Sequence, residues 1–124
     1  MEHRTHKRLK IVLLSILVLL AVAVCGFLIW AGDYYRADGV AAAAMQSDSS
    51  IETEDNLTIL SPGAPADTGI IFYPGAKVEA SAYLPLLEKL KDQGFACVLV
   101  KMPLNMAIFN PDAADKAIAA VPGI

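Results

Sequence analysis

The sequence predicts an α/β fold behind a single transmembrane helix. Three observations carry that expectation. Ile11 to Gly32 contains no charged residue, whereas the rest has the makeup of ordinary soluble protein. Gly69 to Val100 reads strand, helix, strand. Within that helix the apolar residues recur at the spacing of one helical face.

Composition supports the division. The chain has 124 residues, 56% of them hydrophobic, with a mean hydropathy of +0.49; a soluble domain is about 45–50% apolar. Residues 1–10 carry Arg4, Lys7, Arg8 and Lys10 against Glu2, a net of +3, and residues 33–124 carry six Lys/Arg against twelve Asp/Glu, a net of −6. An acidic domain argues against nucleic acid as a partner, since phosphate binding needs a basic face. The 92 residues after Gly32 leave room for one small domain, excluding a multidomain soluble enzyme and a polytopic transporter.

Ile11–Ala31 is 21 residues long, spanning roughly 30 Å as a helix, the thickness of a bilayer core. The basic cluster before it predicts a cytoplasmic N-terminus, and Trp30, Tyr34 and Tyr35 suit an interfacial belt at the far end. A cleaved signal peptide has an apolar region of about 7–15 residues and a small-residue cleavage site. This run is longer, and Trp30-Ala31-Gly32-Asp33 is a poor site. A lipoprotein signal using Cys25 would want a small residue where Val24 stands. The expected partner of Ile11–Ala31 is therefore the lipid bilayer, with a retained single-pass anchor in the cell membrane and the domain extracytoplasmic. Cys25 then lies in lipid and Cys97 in the domain, which excludes a bond between them; Cys97 reads as a small buried hydrophobe.

The expected organisation is a basic cytoplasmic tail over 1–10, a transmembrane helix over 11–31, a stalk over 32–50 and a domain over 51–124. Ala41–Met45 has the composition for a helical turn or two within the stalk. Ile51–Leu60 has β character, best over Leu57–Leu60, and Asn56-Leu57-Thr58 matches a glycosylation sequon that matters only in a secretory eukaryotic pathway. Ser61–Thr68 is a turn rich in Pro, Gly and Asp. Gly69–Tyr73 is a short apolar run, the kind buried on both faces of a parallel sheet. Ser81 is an expected N-cap for a helix to Gln93, whose stripe is Ala80, Tyr83, Leu84, Leu87 and Leu90. Pro85 belongs in its first turn and Gly94 just past its end. Phe95–Val100 is a second buried strand, completing a βαβ unit. Lys101–Met106 leaves as a loop. Pro111 opens a helix over Asp112–Ala120 whose small face is Ala113, Ala117 and Ala120, with Asp112 and Asp115 as first-turn acids. A further strand is expected to begin near Ile124.

The chemistry-bearing stretch is Pro74-Gly75-Ala76-Lys77-Val78-Glu79, between the carboxyl end of a strand and the start of a helix, where α/β sheets bind ligands. It fits neither G-x-x-x-x-G-K-[ST] nor G-x-G-x-x-G. A Gly-containing loop there can turn backbone N–H groups toward a developing alkoxide; on local residues alone a Pro-Gly pair reads first as an ordinary turn. Lys101 and Asn105 read first as solvated loop residues, with shaping of the cleft mouth as the alternative. Two His, two Cys and scattered carboxylates show no ligand spacing, so no metal and no cofactor are expected.

Two stretches, Phe72-Tyr73-Pro74-Gly75-Ala76-Lys77-Val78-Glu79 and Val98-Leu99-Val100-Lys101-Met102-Pro103-Leu104-Asn105, resemble the early part of a bacterial α/β-hydrolase family of the fold-5 type. The resemblance covers roughly residues 51–124 and implies a partial α/β-hydrolase-like parallel sheet. It makes the first stretch similar to the oxyanion loop after the third strand, with Gly75, Ala76 and Lys77 as candidate backbone donors. It implies an ester or acyl hydrolase acting on a small ester-like substrate through a serine nucleophile. The sequence departs from that pattern: it has no G-x-S-x-G elbow. Its serines are 15, 47, 49, 50, 61 and 81, and its histidines, His3 and His6, precede the apolar run. The expectation is a chain cut before its nucleophile and inactive alone. The alternatives are a non-catalytic membrane-tethered binding module and a small structural membrane protein.

Overall fold

The computed structural model describes residues 2–121. These fall into two compact units, divided between Asp33 and Tyr34.

The first unit is one helix, α1, Glu2–Gly32. Leu, Ile, Val and Ala dominate its length, and Ser15, the lone hydroxyl of the apolar run, donates to the Ile11 carbonyl at 2.9 Å. That bond satisfies the hydroxyl inside the helix. His6–Gly32 is 27 residues with a mean hydropathy of 3.1 in its most apolar window. It is long and apolar enough to cross a bilayer, a property a secretory leader shares.

The second unit begins with α2, Gly39–Ser47. Asp38 caps it: its carboxylate accepts from the Val40 and Ala41 amides at 3.1 and 3.0 Å, satisfying donors that have no partner within the helix. Four strands follow, β1 Ile51–Glu54, β2 Leu57–Leu60, β3 Gly69–Phe72 and β4 Ala96–Val100, in spatial order β1-β2-β4-β3. β2 is antiparallel to β1 and to β4, and β3 is parallel to β4. Helix α3, Leu84–Lys91, lies between β3 and β4 in sequence, and α4, Ala113–Ala120, follows β4.

The core has two faces because successive side chains of β4 point to opposite sides of the sheet. Cys97 and Leu99 pack with Leu60, Ala80, Leu84, Leu87 and Ala44. Val98 and Val100 pack with Ile59, Met102, Ala113 and Ala117. The sheet is thus a middle layer, with α2 and α3 on one face and α4 on the other. Across the first face, the Lys91 ammonium pairs with the Asp48 carboxylate and donates to the Ser50 hydroxyl at 3.1 Å. Asp48 also accepts from the Ser50 amide and hydroxyl at 2.9 and 2.6 Å. Bonded to Lys91 first and Ser50 second, the Asp48 carboxyl is held well below the usual carboxylate range.

Several expectations need correction. The sheet is mixed, not parallel, because Ile51–Leu60 folds into a hairpin. Asp55 turns it in the left-handed region, φ +51°, which Asp tolerates. β3 stops at Phe72 and lies at a sheet edge, half-buried rather than covered on both faces. The segment over 32–50 is not a free stalk from Tyr34 onward, since Ala41 and Ala44 are buried. Their small side chains let α2 sit close against the unit. Ser81 does not cap a long helix: Ala80–Tyr83 is a 3-10 turn leading into α3. Pro85 sits in the first turn of α3, and Gly94 takes φ +95° just past its end. The strand expected near Ile124 lies outside the described residues.

Candidate functional site

The loop of residues 74–79 leaves the carboxyl end of β3, the third strand of the sheet. Its three candidate donors have different fates. The Lys77 N–H donates to the Asn105 carbonyl at 2.8 Å, so it is committed to the scaffold. The Gly75 N–H donates to the Tyr83 hydroxyl oxygen at 3.2 Å. The Ala76 N–H makes no hydrogen bond among the described residues, and Gly75 and Ala76 are both exposed.

Gly75 is not there for a left-handed turn; among the described glycines only Gly94 has a positive φ. The constraint is space: a Cβ on Gly75 would lie 2.9 Å from the Tyr83 hydroxyl oxygen. The left-handed residue is Lys77, φ +59°; Asn105, whose carbonyl it bonds, is also left-handed at +53°, as is the preceding Leu104 at +51°. Such conformations cost about 1–3 kcal/mol each and persist where surrounding bonds over-determine them.

Those bonds are visible. The Lys77 carbonyl accepts from the Tyr35 N–H at 2.8 Å, and the Tyr35 carbonyl accepts from the Glu79 N–H at 2.8 Å. Tyr35 and Val78 thereby form a one-residue parallel bridge. The Glu79 carboxylate continues the clamp, accepting from the Ala37 amide at 3.0 Å and the Ser81 hydroxyl at 3.0 Å. The Ala37 bond, then the Ser81 bond, hold the Glu79 carboxyl below its ordinary range against a smaller effect of burial. On the far side, the Tyr73 hydroxyl donates to the Pro111 carbonyl at 2.9 Å and accepts from the Ala114 amide at 2.6 Å. The end of β3 thus fixes the start of α4.

Of the other residues singled out, Asn105 reaches the loop through its carbonyl. Lys101 is exposed, and its N–H is bonded to the Asn56 carbonyl at 2.7 Å. The Ser81 hydroxyl is spent on Glu79. Cys97 is fully buried, and burial pushes its thiol pKa up, away from reactivity. Sequence reasoning passed over Tyr83 and Tyr35. It assigned one to a helix stripe and the other to a membrane belt, and no spacing rule reports where a hydroxyl or a single backbone amide ends up.

Residues 69–124 match the model of an alpha/beta hydrolase family. No curated protein and no solved structure matches the chain. The matched stretch begins at β3 and includes the loop of residues 74–79, α3, β4 and α4. The match supports a hydrolase-like function for this part of the chain; it names no catalytic residue and no reaction.

Two expectations follow. Gly75→Ala, which forces its methyl against the Tyr83 hydroxyl, should cost about 1 kcal/mol of unfolding free energy. In a Tyr83→Phe background the same change should cost measurably less; equal losses in urea titrations of both backgrounds would refute the contact. Glu79, with its carboxyl pKa lowered from 4.5, contributes stability that is fully present above about that pH and is lost as pH falls through the folded value. Glu79→Gln should therefore melt below wild type at pH 6, with the gap closing toward pH 3. A gap independent of pH would show that the Glu79 charge is idle.

Proposed function

We propose that the chain is a membrane-anchored protein whose second unit supplies the oxyanion side of an α/β-hydrolase-type site, for hydrolysis of an ester or related acyl bond. The observation that carries this reading is a coincidence of place. The family match contains the loop at the carboxyl end of the third strand, and in that loop Gly75 and Ala76 are exposed, the Ala76 N–H unbonded among the described residues and the Gly75 N–H on the Tyr83 hydroxyl. Preorganised N–H donors at such a position stabilise the charge that builds on a carbonyl oxygen as a nucleophile attacks. Lys77, the third candidate, instead locks the loop's path.

A complete reaction needs a nucleophile on an elbow, an acid and a histidine. Both histidines of the sequence precede Ile11, and no serine stands in a G-x-S-x-G setting. The 124-residue chain is therefore proposed to bind the oxyanion side of a substrate without turning it over. Incubated with a fluorophosphonate probe and an activated ester, it should be neither labelled nor active, and covalent labelling would overturn that. The hydrolase assignment is tested by the source reading frame after Ile124. A G-x-S-x-G within about 20 residues, following an apolar strand, supports it. A stop codon there favours a tethered binding or structural module and removes the assignment.

We further propose that α1 is a retained anchor with the N-terminus cytoplasmic, based on its length and on the basic residues before Ile11. Ser49→Cys, at an exposed position, should react with an impermeant maleimide in intact cells, on a chain that keeps its full mass. A chain shortened by its first 30 or so residues would identify a cleaved leader instead.

A further inference from the structure

We propose that the Tyr83 hydroxyl is itself a donor in this oxyanion site, standing beside the Gly75 and Ala76 amides and taking the anionic oxygen of a tetrahedral acyl or phosphonyl centre. The proposal rests on the hydrolase reading for its chemistry, and on the geometry of Tyr83 for its content.

A phenol carries one hydrogen to donate and lone pairs to accept. In Tyr83 the oxygen accepts from the Gly75 N–H at 3.2 Å, and its own hydrogen has no acceptor among the described residues. The hydroxyl thus occupies the spot at which the Gly75 amide is aimed and has a donor left over. An arriving oxyanion can take the Tyr83 hydrogen directly and share the Gly75 N–H. The Gly75 amide on its own is a neutral donor with its best direction already filled.

The hydroxyl is also held in place, as a preorganised donor requires. The Tyr83 ring is half-buried and packs on Phe72, the last residue of β3, with centroids 4.7 Å apart and planes tilted 48°. Its backbone is fixed at the junction of the 3-10 turn and α3. The absence of a side chain at position 75 is what admits the hydroxyl at this distance. Glycine at 75 and the hydroxyl of tyrosine at 83 therefore form one unit, since a side chain at 75 would occupy the hydroxyl's place.

The test is an amide-resolved titration of the full chain in detergent micelles with phenylphosphonate, whose oxygens stand in for the oxyanion of the tetrahedral intermediate. The Gly75 and Ala76 amide signals should move, and the Lys77 signal, bonded to Asn105, should not. Tyr83→Phe keeps the ring on Phe72 and removes only the hydroxyl; it should raise the half-saturation concentration about tenfold, the size of one hydrogen bond to a charged group. Gly75→Ala, which displaces the hydroxyl, should weaken binding in the same direction. Unchanged affinity in Tyr83→Phe, or a Gly75 amide that ignores the phosphonate, overturns the proposal. The two readings fail separately. Tyr83-dependent binding with no elbow encoded downstream leaves an anion cradle and removes the hydrolase, whereas Tyr83-independent binding with an elbow present does the reverse.

Discussion

Every residue of β4 is withdrawn from water, and the second unit is organised by that constraint. A buried strand must pair its N–H and C=O groups on both edges, because an unmet backbone group costs as much as a lost hydrogen bond. β2 meets one edge antiparallel and β3 the other in parallel. Its side chains then demand cover on both faces, which α2 and α3 supply on one and α4 on the other. The candidate loop stands where it does because β3 is registered on β4 from Gly69 opposite Ala96 to Phe72 opposite Leu99. The strand's end, and with it Pro74 and Gly75, is set by that register.

Around this frame the loop is tied from two directions at Lys77. Its amide is bonded to Asn105, beyond β4, and its carbonyl to Tyr35, ahead of α2. Two distant segments therefore meet one residue that takes a conformation an ordinary side chain avoids. The three adjoining left-handed residues, Lys77, Leu104 and Asn105, show strain gathered at one joint and held there by backbone bonds. Pinning Lys77 in this way removes one N–H from any ligand and leaves Gly75 and Ala76 to face outward.

The parts legible in the sequence were those written in apolar periodicity. The stripe of Leu84, Leu87 and their neighbours, the run Ala96–Val100, the small face of Ala113 and Ala117 and the long apolar helix were all readable, because burial and spacing are linked by the geometry of helices and strands. The hairpin was half-read, since its turn is the pair Asp55-Asn56 and carries no glycine. What was not legible depends on single long-range contacts. Tyr83 has the spacing of a core residue, and its ring does pack on Phe72, so only its hydroxyl is informative. Gly75 was seen, but as a residue of permissive backbone; its true constraint is the approach of an atom eight positions away. The α2 segment read as a tether because alanine is a weak signal of burial, and two buried alanines in an alanine run look like any low-complexity stretch.

The bridge at Tyr35 has a practical consequence for where the chain can be cut. Residues 34–37 resemble spacer between a membrane segment and a domain, and a soluble version designed from the sequence would start near residue 51. Such a version would lack α2, the Ala37 amide that Glu79 holds, and the backbone partner of Lys77 and Glu79. A version starting at Tyr34 would keep all three. The natural seam of the molecule is thus the short stretch between Gly32 and Tyr34, and a cut placed after Tyr35 would sever the chain beside the loop's bridge without touching a strand of the sheet.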